Sequence, residues 1–425
     1  MRPQSPPSSR MNSQRGRRPL ARQSTELNLG RQHRPDYWLL IFSAILLATG
    51  LVVVYAISPA LAVANHVSNT YYVGKQLLAI ALSIVAFIVT AQVPLRWWRQ
   101  AYKPLLILAG VATMLALLLP VNPAYPAHRW VRLGGSLSFQ SVELVKFAVL
   151  IALAGFLAER ISSKLLTDTA RTFKPLIIAI VVIGIIIAGP QKLHAQSDLG
   201  SMGVMVAMAG TMCFIAGLPM KRLMMFAGIL AIGVALVILP SGYRRQRLTT
   251  FMHPESDCQN AGYQACQALI SVGSGGIVGA GLGGGAQAYG YVPEAANDSI
   301  FAIFAEKFGF IGSVILLAVF VGFFSRLKTI AERSSDDFSR LLVIGVLAWL
   351  SVQSLINIGA MVGLLPLKGI TLPFISYGGT SVVFIAAAVG LVFQVSRYTA
   401  LSSPRAVELS NRPSRNLQAF RRPDY

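Results

Sequence analysis

Charged side chains are scarce in this chain: they make up 12% of its 425 residues, where an ordinary soluble domain carries about 25%. That shortage excludes a soluble multidomain enzyme, and the 54% hydrophobic content with a mean hydropathy of +0.60 points to lipid as the solvent. Acidic residues are scarcer still, 16 Asp plus Glu against 37 Lys plus Arg, which leaves a formal net charge of +21. In a soluble protein such an excess points to nucleic acid; here its distribution assigns it mainly to one side of a membrane. Three cysteines are too few for a disulfide scaffold or an all-cysteine zinc site. No two of the five histidines share a ligand-like spacing, and no internal repeat of the inverted transporter kind is visible.

What the chain does have is long apolar runs, at 38–57, 77–93, 105–119, 142–158, 176–188, 199–218, 223–239, 300–324, 341–365 and 379–395. A bilayer-spanning helix needs about 20 such residues, so the runs predict an all-α polytopic membrane protein of about ten transmembrane helices. Residues 1–37 read as a basic, disordered tail and not as a signal peptide, residues 38–397 as the membrane domain, and 398–425 as a second basic tail. An even number of spans puts both termini on one side. The connections on that side carry most of the Lys and Arg, which assigns both tails to the cytoplasm. The longest connection, 240–299, lies between the seventh and eighth spans and is predicted to be extracytoplasmic. Its apolar stretches and its glycine-rich run 273–290 argue against disorder.

The exceptions to the charge bias gather on the outer side. Glu143 and Lys146 stand at i, i+3 on one helical face, either a structural ion pair or the polar wall of a cavity. Pro293 suits a first helical position, which would place Glu294 and Asp298 at i, i+4 near a helix N-terminus. There they serve either as caps or as a coupled pair in which one carboxylate becomes a usable base. Arg129, Arg132, Arg244, Arg245 and Arg247 are outer cations whose planar donor forks suit phosphate; lipid head-group anchoring is the alternative. The G-x-G-x-x-G at Gly279, Gly281 and Gly284 lacks the strand and helix context of a dinucleotide site and fits tight turns or close approach better. Cys258 and Cys266 share the outer loop, where oxidation permits a local disulfide.

In order along the chain stand Arg129-Trp130, Gln140-Ser141-Val142-Glu143-Leu144-Val145-Lys146, Gln196-Ser197-Asp198-Leu199-Gly200 and Tyr263-Gln264. They are followed by Val292-Pro293-Glu294-Ala295 with Asp298, Glu306-Lys307-Phe308-Gly309, Asn357-Ile358-Gly359, and Leu372-Pro373-Phe374-Ile375-Ser376-Tyr377-Gly378-Gly379. Together these segments resemble the SEDS family of polytopic peptidoglycan glycosyltransferases over about residues 38–397. Lys368 and Thr371 bring the chain nearer to the division members than to the elongation members. Ser141 and Ser197 stand where prolines are common in the family.

The resemblance implies polymerisation of lipid II with release of undecaprenyl pyrophosphate at the outer face of the plasma (inner) membrane, during septal wall synthesis. It implies Asp298 as the catalytic carboxylate. Arg129, Glu143, Lys146, Asp198, Arg247, Gln264, Glu294, Lys368 and Ser376 are expected to contact substrate, with Lys146 or Arg129 facing pyrophosphate. No cofactor is required, although a divalent cation such as Mg or Mn would be able to bridge the phosphates. The implied partners are a class B penicillin-binding protein and other division membrane proteins, with no nucleic acid. A lipid II flippase and a non-catalytic scaffold are the competing readings.

Overall fold

The computed structural model describes residues 34–119, 129–132, 138–189, 196–239, 241–253, 258–260 and 262–398. The two basic tails expected at 1–37 and 398–425 lie almost wholly outside the described residues. In chain order the helices are α1 (Tyr37–Ala64), α2 (Tyr71–Gln92), α3 (Leu95–Gln100), α4 (Tyr102–Leu118), α5 (Ser141–Ser162), α6 (Lys174–Ala188), α7 (Leu199–Ala216), α8 (Met220–Ile238), α9 (Gly242–Met252), α10 (Tyr263–Ser274), α11 (Ile300–Glu332), α12 (Asp337–Met361) and α13 (Gly379–Ser396). The described strands are β1 (Trp130–Arg132) and β2 (Ser138–Gln140), antiparallel with Trp130 opposite Gln140. The molecule is therefore all-α, as composition demands.

Every expected apolar run lies on a helix. Against about ten spans expected, eight helices among the described residues are long and apolar enough to cross a membrane, counting α6 with the π-turn Thr169–Phe173 that leads into it. Helix α4 is shorter, and α8 falls outside that set. The hydropathy runs understate α1 and α11, which reach 28 and 33 residues. Near the end of α11, Arg326 pairs with Asp36 at the entry to α1. The backbone of Asp36 also donates to Ser396 Oγ at the end of α13, so the start of α1 and the ends of α11 and α13 share one face of the bundle. The starts of α5 and α13 meet at the opposite face, where Thr380 Oγ1 accepts from the Gln140 N–H.

Helices α5 and α13 form the centre: 83% of their apolar windows is buried, against 22% for α2 and α11, whose outer sides are left for lipid. Beside this centre the connection 362–378 turns back into the bundle. The buried Phe374 packs edge-on against Phe323 of α11, and a Cβ on Gly50, midway along α1, would lie 2.7 Å from the Ile375 Cα. Irregular backbone at such depth is tolerated only when protein groups satisfy it. Here Gln353 and Asn357 of α12 donate to the Thr371 and Ile370 carbonyls, and Ser376 Oγ accepts from the Leu372 N–H.

Helix α11 is broken at Gly309, whose φ of 66° and ψ of −163° leave the helical region. The peptide groups freed by the break are taken up by the glycine-rich run. Ala280 and Gly281 donate to the carbonyls of Glu306 and Lys307, while Phe310 and Ile311 donate to those of Gly276 and Ile277. Gly279 permits this approach, since a Cβ there would stand 2.2 Å from the Lys307 carbonyl oxygen.

Candidate active site at one end of the bundle

Three clusters of the predicted residues lie at the same end of the helices. The first is the turn 293–299 before α11. It is not the opening of a helix: α11 begins at Ile300, and Glu294 has a φ of +51°. Glu294 and Asp298 therefore do not share a helical face. Glu294 is exposed and its carboxylate accepts from the Asn297 side-chain amide, while Asp298 is half-buried. The helical expectation from Pro293 fails because tertiary bonds take the carbonyls that a first turn would use. Tyr377 N–H donates to Ala296 O at 2.8 Å, Ser376 Oγ to Asn297 O at 2.6 Å, and Asn357 Nδ2 to Asp298 O at 2.7 Å. Gln264 of α10 donates to Ser299 Oγ at 3.2 Å, and that hydroxyl donates on to Pro293 O. Asp298 Oδ2 lies 3.5 Å from the position a Cβ on Gly369 would take, so the segment carrying Lys368 passes beside this carboxylate.

The second cluster is the first two turns of α5. Lys146 Nζ is 2.8 Å from Glu143 Oε1, as the i, i+3 spacing predicts. Lys146 is only 1% exposed, donates to Gln353 Oε1 at 3.1 Å, and sits 5.1 Å from the Trp349 ring centre. Its ammonium is buried among protein groups, as an ion held at such depth requires a partner and further hydrogen bonds.

The third cluster joins β1 to the loop before α7. Arg129 donates through Nε to Gln196 O at 2.9 Å and through Nη2 to Ser197 O at 2.8 Å. Gln196 Nε2 donates to Ser141 Oγ at 2.6 Å. Ser197 has a φ of 55°, which proline, fixed near −65°, does not adopt. Both serines that depart from proline therefore belong to one local rearrangement. Asp198 caps α7, accepting from the N–H and hydroxyl of Ser201, and is 2% exposed. Both of its carboxylate oxygens are engaged at the start of α7.

Of the outer arginines, Arg245 is exposed on α9, and the side chains of Arg132, Arg244 and Arg247 lie outside the described residues. Cys258 and Cys266 are joined as a disulfide. Sequence reasoning passed over Gln353 and Trp349. A glutamine in an apolar helix, four residues from both an indole and an asparagine, was the available signal.

The chain matches the model of the FtsW/RodA/SpoVE cell cycle protein family over residues 37–401. It is 36% identical over 371 residues to a probable peptidoglycan glycosyltransferase FtsW of Saccharophagus degradans, covering 85% of this chain and 92% of that one. It is 34% identical to stage V sporulation protein E of Bacillus subtilis, covering 86% and 98%. Among solved structures, a chain from a peptidoglycan synthase complex that coordinates polymerization and crosslinking superposes with a TM-score of 0.70 at 26% identity, covering 85% of this chain and 98% of that one. The match over residues 37–401 and these likenesses show that the chain belongs to the FtsW/RodA/SpoVE family.

Proposed function

We propose that the protein is a peptidoglycan glycosyltransferase that polymerises lipid II at the outer face of the plasma membrane during septal wall synthesis. The carrying observation is the immobilisation of Asp298. Its turn is fastened through the carbonyls of Ala296, Asn297 and Asp298 by groups from two other segments, which is the preorganisation a catalytic base requires. In the reaction the Asp298 carboxylate accepts the proton of the acceptor hydroxyl. The resulting oxygen attacks the donor anomeric carbon, and the bond from that carbon to the pyrophosphate oxygen breaks, releasing undecaprenyl pyrophosphate. Lys368, on the segment beside Asp298, and the outer arginines Arg129, Arg245 and Arg247 supply positive donors for the charge that develops on the leaving group. Glu294, Gln264 and Ser376 shape the turn; Glu143 and Lys146 support it from within. Among the described residues no three His, Cys, Asp or Glu side chains converge as a metal cage. A phosphate-bridging cation would be held mainly by substrate, and no step above runs through one.

Sidedness has two independent supports. Both tails are basic, which favours the cytoplasm, and the Cys258–Cys266 bridge at the opposite end needs an oxidising compartment. Among the described residues, the gathering of buried ionisable groups such as Glu143, Lys146, Glu306 and Lys307 at one end favours polymerisation over flipping. A class B penicillin-binding protein is the expected partner, in keeping with the synthase complex whose chain this one resembles, and other division membrane proteins would join it.

The test is polymerisation of labelled lipid II by the purified protein with its cognate class B penicillin-binding protein, native against Asp298→Asn. Glycan ladders should form with the native complex and vanish with the variant while the complex stays intact. Ladders that persist in the variant remove Asp298 from the chemistry; an intact native complex that makes none returns the flippase or scaffold reading.

A further inference from the structure

Trp349, Gln353 and Asn357 are spaced four residues apart on α12 and so stand one above another on a single face. All three are buried. Gln353 is the middle member, and an amide side chain has two donor and two acceptor positions. All four are in use. Its Oε1 accepts from Lys146 Nζ at 3.1 Å and from Trp349 Nε1 at 2.8 Å. Its Nε2 donates to the Thr371 carbonyl at 2.9 Å and to Thr371 Oγ1 at 3.3 Å. A saturated amide in a dry site has one orientation, because flipping it would set donor against donor and acceptor against acceptor.

The two sides of Gln353 differ in what they touch. On one side is the Glu143–Lys146 pair of α5. On the other is the strap 368–372, whose Gly369 passes beside the Asp298 carboxylate and whose Ile370 carbonyl shares the Asn357 amide with the Asp298 carbonyl. We infer that Gln353 is a positioning residue for the transfer step: it fixes the height of the Lys368-bearing strap against Asp298 by tying Thr371 to the buried ion pair. This inference rests on the reading of Asp298 given above.

Gln353→Glu tests it directly. The substitution keeps shape and keeps an acceptor oxygen for Lys146 and Trp349, and it replaces the donor that holds Thr371 with a carboxylate oxygen that repels the Thr371 carbonyl. Steady-state polymerisation by the complex should show kcat lowered about tenfold or more, as a misplaced reacting group does, with KM and lipid II binding within about twofold of native. Thr371→Val, which removes the hydroxyl that meets Gln353 and, at 3.2 Å, Ser381 Oγ and nearly preserves volume, should lower kcat about threefold with KM unchanged. The double variant should be slower than Gln353→Glu alone by less than the product of the two single losses, since the Gln353–Thr371 contact is already broken there. A residue that merely filled the core would instead lower the unfolding temperature and leave kcat alone. Native kcat in folded Gln353→Glu overturns the inference, as does multiplication of the two kcat losses in the double variant. If Gln353→Glu does not accumulate, native kcat in Thr371→Val overturns it. Asp298→Asn run in parallel keeps the two readings apart: ladders from that variant sink the base assignment, whereas the Gln353 result is measured with Asp298 in place.

Discussion

Two buried glutamate–lysine couples sit near the end of the bundle that carries Asp298, and they are used in opposite ways. Glu143 and Lys146 on α5, three residues apart, share a face and pair with each other. Glu306 and Lys307 on α11 are adjacent in sequence, so their side chains leave the helix about 100° apart. Each bonds to the glycine-rich run instead. Lys307 Nζ donates to Leu282 O at 2.9 Å and Gly284 O at 3.1 Å, and Glu306 Oε1 accepts from the Gln287 N–H at 3.2 Å. Spacing along the helix thus decides whether buried charges neutralise one another or fasten backbone. The α5 couple links helix to helix through Gln353; the α11 couple holds a loop in a helix break.

The largest effect should come from breaking the couple that neutralises itself. Lys146→Met leaves the Glu143 carboxylate buried without its cation, a loss of about 3–5 kcal/mol, read as a lowered thermal unfolding temperature of the purified protein. Adding Glu143→Gln should recover much of that loss, because the orphaned charge is gone. Lys307→Met should cost less, roughly 2–3 kcal/mol for two charge-assisted hydrogen bonds. Its signature should be local: faster proteolysis within 282–290, with the remainder of the bundle unaffected. A global loss from Lys307→Met as large as that from Lys146→Met would erase the distinction between the two couples.

The loop side of the comparison sharpens with Gly279→Ala. The residue has a φ of +87°, and its Cβ would meet the Lys307 carbonyl, so the run must lift out of the break. A cost of about 1–3 kcal/mol is expected, again with protease sensitivity confined to the loop. Ser197→Pro makes a similar point near α5. The substitution restores the residue common in the family, yet a φ of 55° is closed to proline, so unfolding at lower temperature is expected unless Ser141→Pro is made with it and lets the loop adopt the other geometry.

These cases show how far the sequence was readable. Hydropathy located every apolar helix, and an i, i+3 spacing gave the Glu143–Lys146 pair, because both depend on periodicity within one element. The turn at 293–299 was misread as a helix start, since Pro293 and two carboxylates make a good local signal. What overrides it is three bonds from residues 357, 376 and 377, more than fifty positions away. Gln353 carried a local signal as a glutamine in an apolar helix, but nothing beside it in sequence reveals that Lys146 and Thr371 converge there. Lys146 itself was found, but its burial was not, because a helical face says which residues are neighbours and not whether that face meets water or protein.

The smallest effect belongs to a carboxylate that has water around it. Asp168 caps the π-turn Thr169–Phe173, its Oδ1 accepting from the N–H groups of Ala170 and Arg171 at 2.8 and 3.0 Å. The Arg171 N–H first, then that of Ala170 and the charges of Arg171 and Arg222, hold its carboxyl below the ordinary value of 3.8 against a small opposing effect of burial. A depressed carboxylate contributes stability that is fully present above its ordinary value and fades as pH falls through the lower value of the folded protein. Asp168→Asn keeps an accepting oxygen and removes the charge, so at neutral pH the unfolding temperature should hardly move, and the acid loss below about pH 4 should become shallower. The comparison with Lys146→Met is then one of environment: both changes delete one charge from a partnered side chain, but only at residue 146 is there no water to take the partner's place. Equal losses from the two substitutions would mean that burial is not what ranks them.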